Sequence, residues 1–319
     1  MVVFQNKIIY MPGLPPNARR EKIEDYKNQC GGIQWREERT VAADGTRISL
    51  CVANVNCELD TDLPVKTVYV LYFQGNASSI PPRLPFLSPV LRLLSDRATF
   101  PARYTMVCCS YRGYWTSKGR PSENGIAMDA VAALKWIREP HGEEAPKPPA
   151  ESIPIVFWGQ SIGAGVATGL AAQAHIFSRS NFLLKAVILE TPFLSIRAML
   201  ETLYPQKWLP YRYLWPFLRN HLDSWAGLGL MRRSFREIGL DPPSILILEA
   251  GRDELVPKEH ATALERRCLE VGLGVKRRVI SNALHTEVMA RSEGRLAVCL
   301  SKRTRRTRTY IRRIPKSVP

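Results

Sequence analysis

The sequence of 319 residues lacks several features that would each point elsewhere. No apolar run approaches the roughly 20 residues needed to span a bilayer. The N-terminus, Met1-Val2-Val3-Phe4-Gln5-Asn6-Lys7, does not have the basic-then-apolar form of a secretory leader. The expectation is a chain in the cytoplasm or at the cytosolic face of a membrane. No internal repeat is visible. The seven cysteines (Cys30, Cys51, Cys57, Cys108, Cys109, Cys268 and Cys299) are odd in number and lack metal-ligand spacing. Reduced core thiols are expected rather than a disulfide framework. Acidic residues are missing from 302–319, which holds eight Lys and Arg, half of the net charge of +16. Such a stretch can meet an anionic membrane surface at about 1 kcal/mol per residue. Nucleic-acid phosphate is the less favoured partner, and a solvated end with no partner stands beside both.

What is present is core material, with 45% of residues hydrophobic. That serves one large α/β domain or two small ones. Residues 1–32 read as an irregular lead-in, turning at Gly13-Leu14-Pro15-Pro16. Asp44-Gly45 predicts a hairpin between Ile33–Ala42 and Thr46–Val55. Buried strands are expected at Thr67–Phe73, Tyr104–Ser110, Ile153–Trp158, Leu184–Glu190, Ser244–Ala250 and Val275–Ile280. Helices alternate with them, one running to about Ser95 and one opened by Ser122-x-x-Gly125. This pattern predicts an α/β fold with a mostly parallel sheet of about eight strands and helices on both faces. The domain runs over 33–300. Proline and charge in Glu139–Ala150 mark a surface insertion. Residues 192–243 interrupt the alternation and carry Tyr204, Trp208, Tyr211, Tyr213, Trp215, Phe217 and Trp225. They form a cap over an apolar pocket, or a helical excursion packed on the domain. Residues 301–319 are read as a disordered basic tail.

The chemistry centres on Ile155–Ala167, an apolar strand leading into a small-residue helix. Between them lies Gly159-Gln160-Ser161-Ile162-Gly163. A serine at this corner takes positive φ and lifts its hydroxyl clear of the backbone. The glycines stand where strand and helix cross too closely for a Cβ. The helix N-terminus behind Ser161 suits an oxyanion. A base and an acid should follow in the order acid, then histidine. Of His175, His221, His260 and His285, the last sits after the final strand, at the edge where open α/β sheets bind ligands. His260 is expected at the surface, and His175 within the helix that begins at the serine. The acid is Asp253 or Glu254, both following the strand Ile245–Ala250. Asp253 is closer to the strand end and its side chain is shorter. Oxyanion donors are the N–H of Ile162 and one from the loop after Thr67–Phe73, with Asn76 favoured and Ala77 its alternative.

These stretches resemble the α/β-hydrolase superfamily. More narrowly, the chain is similar to its bud-emergence-factor branch, which includes membrane-associated esterases and protein depalmitoylases. The likeness rests on Phe4–Pro12, Gly75-Asn76-Ala77, Tyr111-Arg112-Gly113-Tyr114, Gly159–Gly163, Glu190-Thr191-Pro192-Phe193, Asp253-Glu254-Leu255-Val256-Pro257 and His285. It implies Ser161 as nucleophile, Asp253 as acid and His285 as base. It also implies an ester or thioester substrate with an apolar acyl group, carried by a small molecule, a lipid or a protein (palmitoyl-protein thioesterase-like), and no metal or cofactor. Three departures stand out. Gln74 replaces the family's histidine before Gly75-Asn76. The chain begins just after the place of the family's anchoring helix. Its end, arginine-rich, replaces an amphipathic helix. The rival readings are a serine peptidase of the same fold and a non-catalytic, membrane-associated interaction protein.

Overall fold

The structure, a computed structural model, describes residues 5–57, 63–141, 152–178, 180–203 and 215–300. Residues 142–150 of the expected insertion, Tyr204, Trp208, Tyr211 and Tyr213 of the aromatic segment, and the basic stretch 302–319 lie outside the described residues.

Strand β3 (Lys66–Phe73) shows why the chain needs two layers of helix. Tyr69, Leu71 and Phe73 join one apolar cluster, while Val68, Val70 and Tyr72 join the other. Side chains alternate across a strand, so a run that is apolar from Val68 to Phe73 must be covered on both faces. Around it lie β1 (Trp35–Val41), β2 (Arg47–Cys57), β4 (Ala102–Ser110), β5 (Ile153–Gln160), β6 (Phe182–Glu190), β7 (Ser244–Ala250) and β8 (Val275–Ile280). The order is β1-β2-β4-β3-β5-β6-β7-β8. β1–β2 and β2–β4 pair antiparallel, and every later pair is parallel. The first pair is the hairpin predicted at Asp44-Gly45. Gly45 takes φ 80° there, and Asp44 Oδ1 accepts the Thr46 N–H at 3.1 Å. β8, at the open edge, presents Lys276, Arg277 and Arg278, charges that discourage pairing with another sheet.

The helices are α1 (Gln5–Ile9), α2 (Leu84–Asp96), α3 (Glu123–Arg138), α4 (Ile162–Ala171), α5 (His175–Ser178), α6 (Ile196–Leu203), α7 (Ser224–Glu237), α8 (Lys258–Glu270) and α9 (Ser292–Leu300). α2 packs with α9 on one face, and α4 packs with α3 and α7 on the other. Ser122 caps α3, its side chain accepting the Gly125 N–H. Leu71, Phe73, Phe157 and Leu189 are wholly buried; each such side chain contributes about 1.5–3 kcal/mol. All seven cysteines are free and six are buried. Burial pushes the Cys51, Cys108 and Cys109 thiols up, which leaves them unreactive.

Two local readings change. α4 ends at Ala171, and His175 instead opens the separate short α5. The interruption expected over 192–243 also divides. Leu228, Met231 and Phe235 of α7 are wholly buried, so α7 is an ordinary crossover helix against α4. Its Trp225 is an outer residue under the Arg267 guanidinium, which lies 3.7 Å from the ring centroid. Among the described residues, 192–203 and 215–223 depart from the alternation.

Candidate active site

Backbone crowding dictates the turn at Ser161. A Cβ on Gly159 would stand 2.0 Å from the Gly163 carbonyl oxygen, and one on Gly163 would stand 2.3 Å from that of Phe73. No side chain fits at either position. Between them Ser161 takes φ 53° and ψ −116°, a conformation unfavourable for any residue with a Cβ. Its N–H donates to the Glu190 carbonyl at 2.8 Å, and its carbonyl accepts from the Ala164 N–H at 2.9 Å. The backbone is therefore satisfied, and the half-buried side chain precedes the N-terminus of α4. Free N–H groups and the helix dipole favour negative charge at such an end.

Asp253 and His285 meet on the loops after β7 and β8. The β8 loop doubles back over β7: the Gly251 N–H donates to the Ile280 carbonyl and the Arg252 N–H to that of Ala283, each at 2.9 Å. This brings His285 Nδ1 to 3.0 and 2.9 Å from the two carboxylate oxygens of Asp253. Asp253 Oδ1 also accepts the N–H groups of Leu255 at 3.0 Å and Val256 at 2.8 Å. Burial opposes ionisation of Asp253, but the His285 and Val256 hydrogen bonds outweigh it and hold the carboxyl below its ordinary range. An ionised carboxylate on Nδ1 keeps a proton there and leaves the lone pair on Nε2. Glu254, the other acid considered, has a different job: its Oε2 accepts the backbone N–H of His285 at 3.0 Å. Among the described residues, neither Nε2 of His285 nor Oγ of Ser161 has a hydrogen-bond partner.

Ser161 and Asp253 leave the sheet two strands apart, about 10 Å at the usual strand spacing. A polar chain, exposed at Thr286 and buried at Gln160, spans that gap. The carbonyl of Thr286, next to His285, accepts from Arg83 Nη1 at 2.9 Å. Arg83 Nε donates to the Tyr72 hydroxyl at 3.1 Å. That hydroxyl donates to Gln160 Oε1 at 3.0 Å, and Gln160 adjoins Ser161. Arg83 Nη2 also pairs with Glu190 Oε1, while Glu190 Oε2 accepts from Trp158 Nε1 at 2.9 Å.

The β3 loop lies against the serine, since a Cβ on Gly75 would be 3.6 Å from that of Ser161. Asn76 turns its side chain away. Its Nδ2 donates to the Ile9 carbonyl at 2.6 Å, and its Oδ1 accepts from the Tyr114 hydroxyl at 2.8 Å and the Met11 N–H at 3.2 Å. Ala77 takes φ 58°. Burial pushes the Tyr114 phenol up, and the N–H groups of Met11 and Ala77 facing it offset part of that rise. Gln74 is 4% exposed, yet neither atom of its amide has a partner among the described residues.

The lead-in contributes more than its sequence announced. The Gln5 amide donates to the Phe217 carbonyl and accepts from the Arg219 N–H, each at 2.7 Å. Asn6 Oδ1 accepts from Asn220 Nδ2 at 2.7 Å, and the Tyr10 hydroxyl donates to Asn220 Oδ1 at 3.2 Å. Residues 5–11 are a strap between Asn76 and the excursion. The signal in the sequence was the family resemblance of Phe4–Pro12, which gave no partner for Gln5, Asn6 or Tyr10. Nothing in the sequence marked Arg83. His260 corrects an expectation: it is 6% exposed, not at the surface. α8 points it into the segment leaving β6, where Nδ1 accepts the Leu194 N–H at 3.2 Å and Nε2 lies 3.4 Å from Thr202 Oγ1. It does not join the Asp253–His285 pair. His175 and His221 are exposed.

No family model matches the chain. Protein bem46 of Schizosaccharomyces pombe is 28% identical over 269 residues, covering 83% of this chain and 75% of bem46. The lysophosphatidylserine lipase ABHD12 of Danio rerio is 34% identical over 154 residues, covering 48% of this chain. The matched stretch spans 37% of that lipase, well under half its length. Among solved structures, an α/β hydrolase from Vibrio vulnificus superposes with a TM-score of 0.63 at 18% identity, over 93% of this chain and 92% of its own. The eight-stranded sheet is that of the α/β hydrolases. The chain is thus an α/β-hydrolase-fold protein similar to the bem46 and ABHD proteins.

Proposed function

We propose that this protein is a serine hydrolase that cleaves an ester or thioester with an apolar acyl group. Ser161 is the nucleophile, His285 the base and Asp253 the orienting acid. The observation that carries the reading is a juxtaposition. A serine held at φ 53° shares one sheet edge with an imidazole whose Nδ1 is taken by a carboxylate at 2.9 Å. The lipase activity named for ABHD12 supports ester hydrolysis; thioester and acylated-protein substrates extend the proposal.

In the reaction, Ser161 Oγ attacks the acyl carbonyl as its proton passes to His285 Nε2. Asp253 stays ionised and stabilises the imidazolium. The N–H groups of Ile162 and Asn76 receive the developing oxyanion. Collapse breaks the bond to the leaving alcohol or thiol, which takes the proton from His285. Water then attacks the acyl-enzyme with His285 again as base, returning Ser161 and releasing the acid. The hydrogen bond from Oγ to Nε2 is assigned to the substrate-loaded site, where catalytic hydrogen bonds commonly tighten. Residues 302–319 are assigned to an anionic membrane surface. No helix among the described residues is long and apolar enough to cross a membrane.

The test is a panel of p-nitrophenyl esters of rising chain length beside a palmitoyl-thioester reporter. Rates should rise with chain length, and Ser161→Ala should lower kcat by about 10⁴ to 10⁶. Unchanged turnover in Ser161→Ala sinks the proposal.

A further inference from the structure

We infer that Arg83 is a positioning residue that sets the reach of His285 toward Ser161, an assignment that rests on the serine-hydrolase reading above. The guanidinium stands at the one point where four parts of the site meet. Nη1 holds the carbonyl of Thr286 at 2.9 Å, directly after the base. Nε holds the Tyr72 hydroxyl at 3.1 Å, and through it Gln160, directly before the nucleophile. Nη2 pairs with Glu190, whose own carbonyl accepts the Ser161 N–H at 2.8 Å. Arg83 itself ends the loop that begins at the oxyanion turn, in the short helix Pro81–Arg83 that leads into α2.

The other contacts of His285 come from the far side. Asp253 fixes the ring through Nδ1 and Glu254 fixes the backbone N–H. Both belong to the β7 loop. They orient the imidazole but leave the distance between the β8 loop and the elbow undetermined. Among the described residues, Arg83 links the β8 loop to β3, β5 and β6. The inner end of the link is fixed, because the Arg83 and Glu190 side chains are only 10% and 0% exposed, while its bond to the Thr286 carbonyl lies at the exposed rim. A planar fork is required for three acceptors in three directions; a lysine ammonium at the end of its stem is a single point and cannot serve them all. An ion pair this buried is weak evidence for stability, since apolar or neutral replacements of the whole pair are often tolerated. That fact separates the two roles Arg83 could have.

The experiment compares Arg83→Lys and the double variant Arg83→Met with Glu190→Gln against the full-length protein, with Ser161→Ala as control. Melting temperature, kcat and KM on the best p-nitrophenyl ester, and the second-order rate of fluorophosphonate labelling are read together. Glu190→Gln keeps an acceptor for Trp158 while removing the charge left by Arg83→Met. The double variant should melt near the wild type, with kcat and labelling rate both reduced about 10²-fold, the usual result of a misplacement near 1 Å, and KM within about 3-fold. Arg83→Lys, which keeps the charge beside Glu190, should lose at least about 10-fold in kcat on the same geometric ground. Recovery of both stability and kcat in the double variant overturns the inference and makes Arg83 a structural ion pair. Should the double variant not fold, wild-type kcat in Arg83→Lys overturns it equally. Full turnover in Ser161→Ala would instead strike the hydrolase reading itself, whatever the Arg83 variants do.

Discussion

The two sides of the proposed active site are built differently. On the β7 and β8 side, Asp253 has both oxygens engaged by His285 and one also by two backbone N–H groups. On the β3 side, Ala77 and Ser78 both sit at φ 58°, and the buried Gln74 amide has no partner among the described residues. The side chain of Asn76 is spent on the strap rather than on the site. The acid–base half is complete before substrate arrives. The oxyanion half is held from outside, by a segment some 65 residues away in sequence, and retains strain and unmet polar groups. Such features persist where surrounding structure over-determines them, and they concentrate at functional sites. The Asp253–His285 pair is thus fixed by its own loops, while the turn at Asn76 depends on the position of residues 5–11.

Breaking the complete half should cost most. Asp253→Asn removes the carboxylate that selects the imidazole tautomer, and kcat should fall about 10⁴-fold. Glu254→Gln keeps an oxygen for the His285 N–H and should fall no more than about 10-fold. Equal losses in the two would mean that the acid has been misassigned.

The strap is the next lever. Asn76→Ala removes three hydrogen bonds that hold the oxyanion turn, and kcat should drop about 10²-fold, the scale of one lost oxyanion donor. Affinity for a trifluoromethyl ketone inhibitor should weaken in parallel. Gln5→Ala should move both quantities the same way by a smaller factor. Unchanged inhibitor affinity in both variants would separate the strap from the oxyanion turn.

Smaller effects concern stability. An unpaired buried amide costs about 1–3 kcal/mol, so Gln74→Met should raise the melting temperature by a few degrees. A lower melting temperature would mean that the amide has a partner in solution. His260 supplies a pH test. Burial holds its imidazole below the ordinary 6.5. The folded state therefore binds that proton less readily than the unfolded chain. The stabilisation is complete above 6.5 and is lost as pH falls through the folded value. Asp253 titrates below the ordinary carboxylate 3.8 and does not contribute near neutrality. His260→Gln should accordingly flatten the decline of melting temperature between pH 7.5 and 5, and a parallel decline in both proteins would contradict that origin.

Local chemistry was legible in the sequence, and long-range polar contact was not. Asp44-Gly45 marks a turn by itself, and Gly159-x-Ser161-x-Gly163 marks a crowded corner by itself, because each cause lies within five residues. The alternation of apolar runs with helices placed the loops carrying Asp253 and His285 on one edge. Arg83 was invisible because its partner Thr286 lies 203 residues away, and an arginine after two prolines reads as a surface residue. Gln5 was hidden likewise, 212 residues from Phe217. His260 looked exposed on an acidic, basic-flanked helix start. Its burial depends on residues 194–202, whose course no local pattern specified.

The central claim is that Ser161 attacks the acyl group. Its most direct test is the mapped covalent adduct of the full-length protein with a fluorophosphonate, read by peptide mass spectrometry. The account predicts a single adduct on Ser161, slowed in His285→Ala and absent in Ser161→Ala. An adduct on any other residue, or labelling that persists in Ser161→Ala, would contradict it.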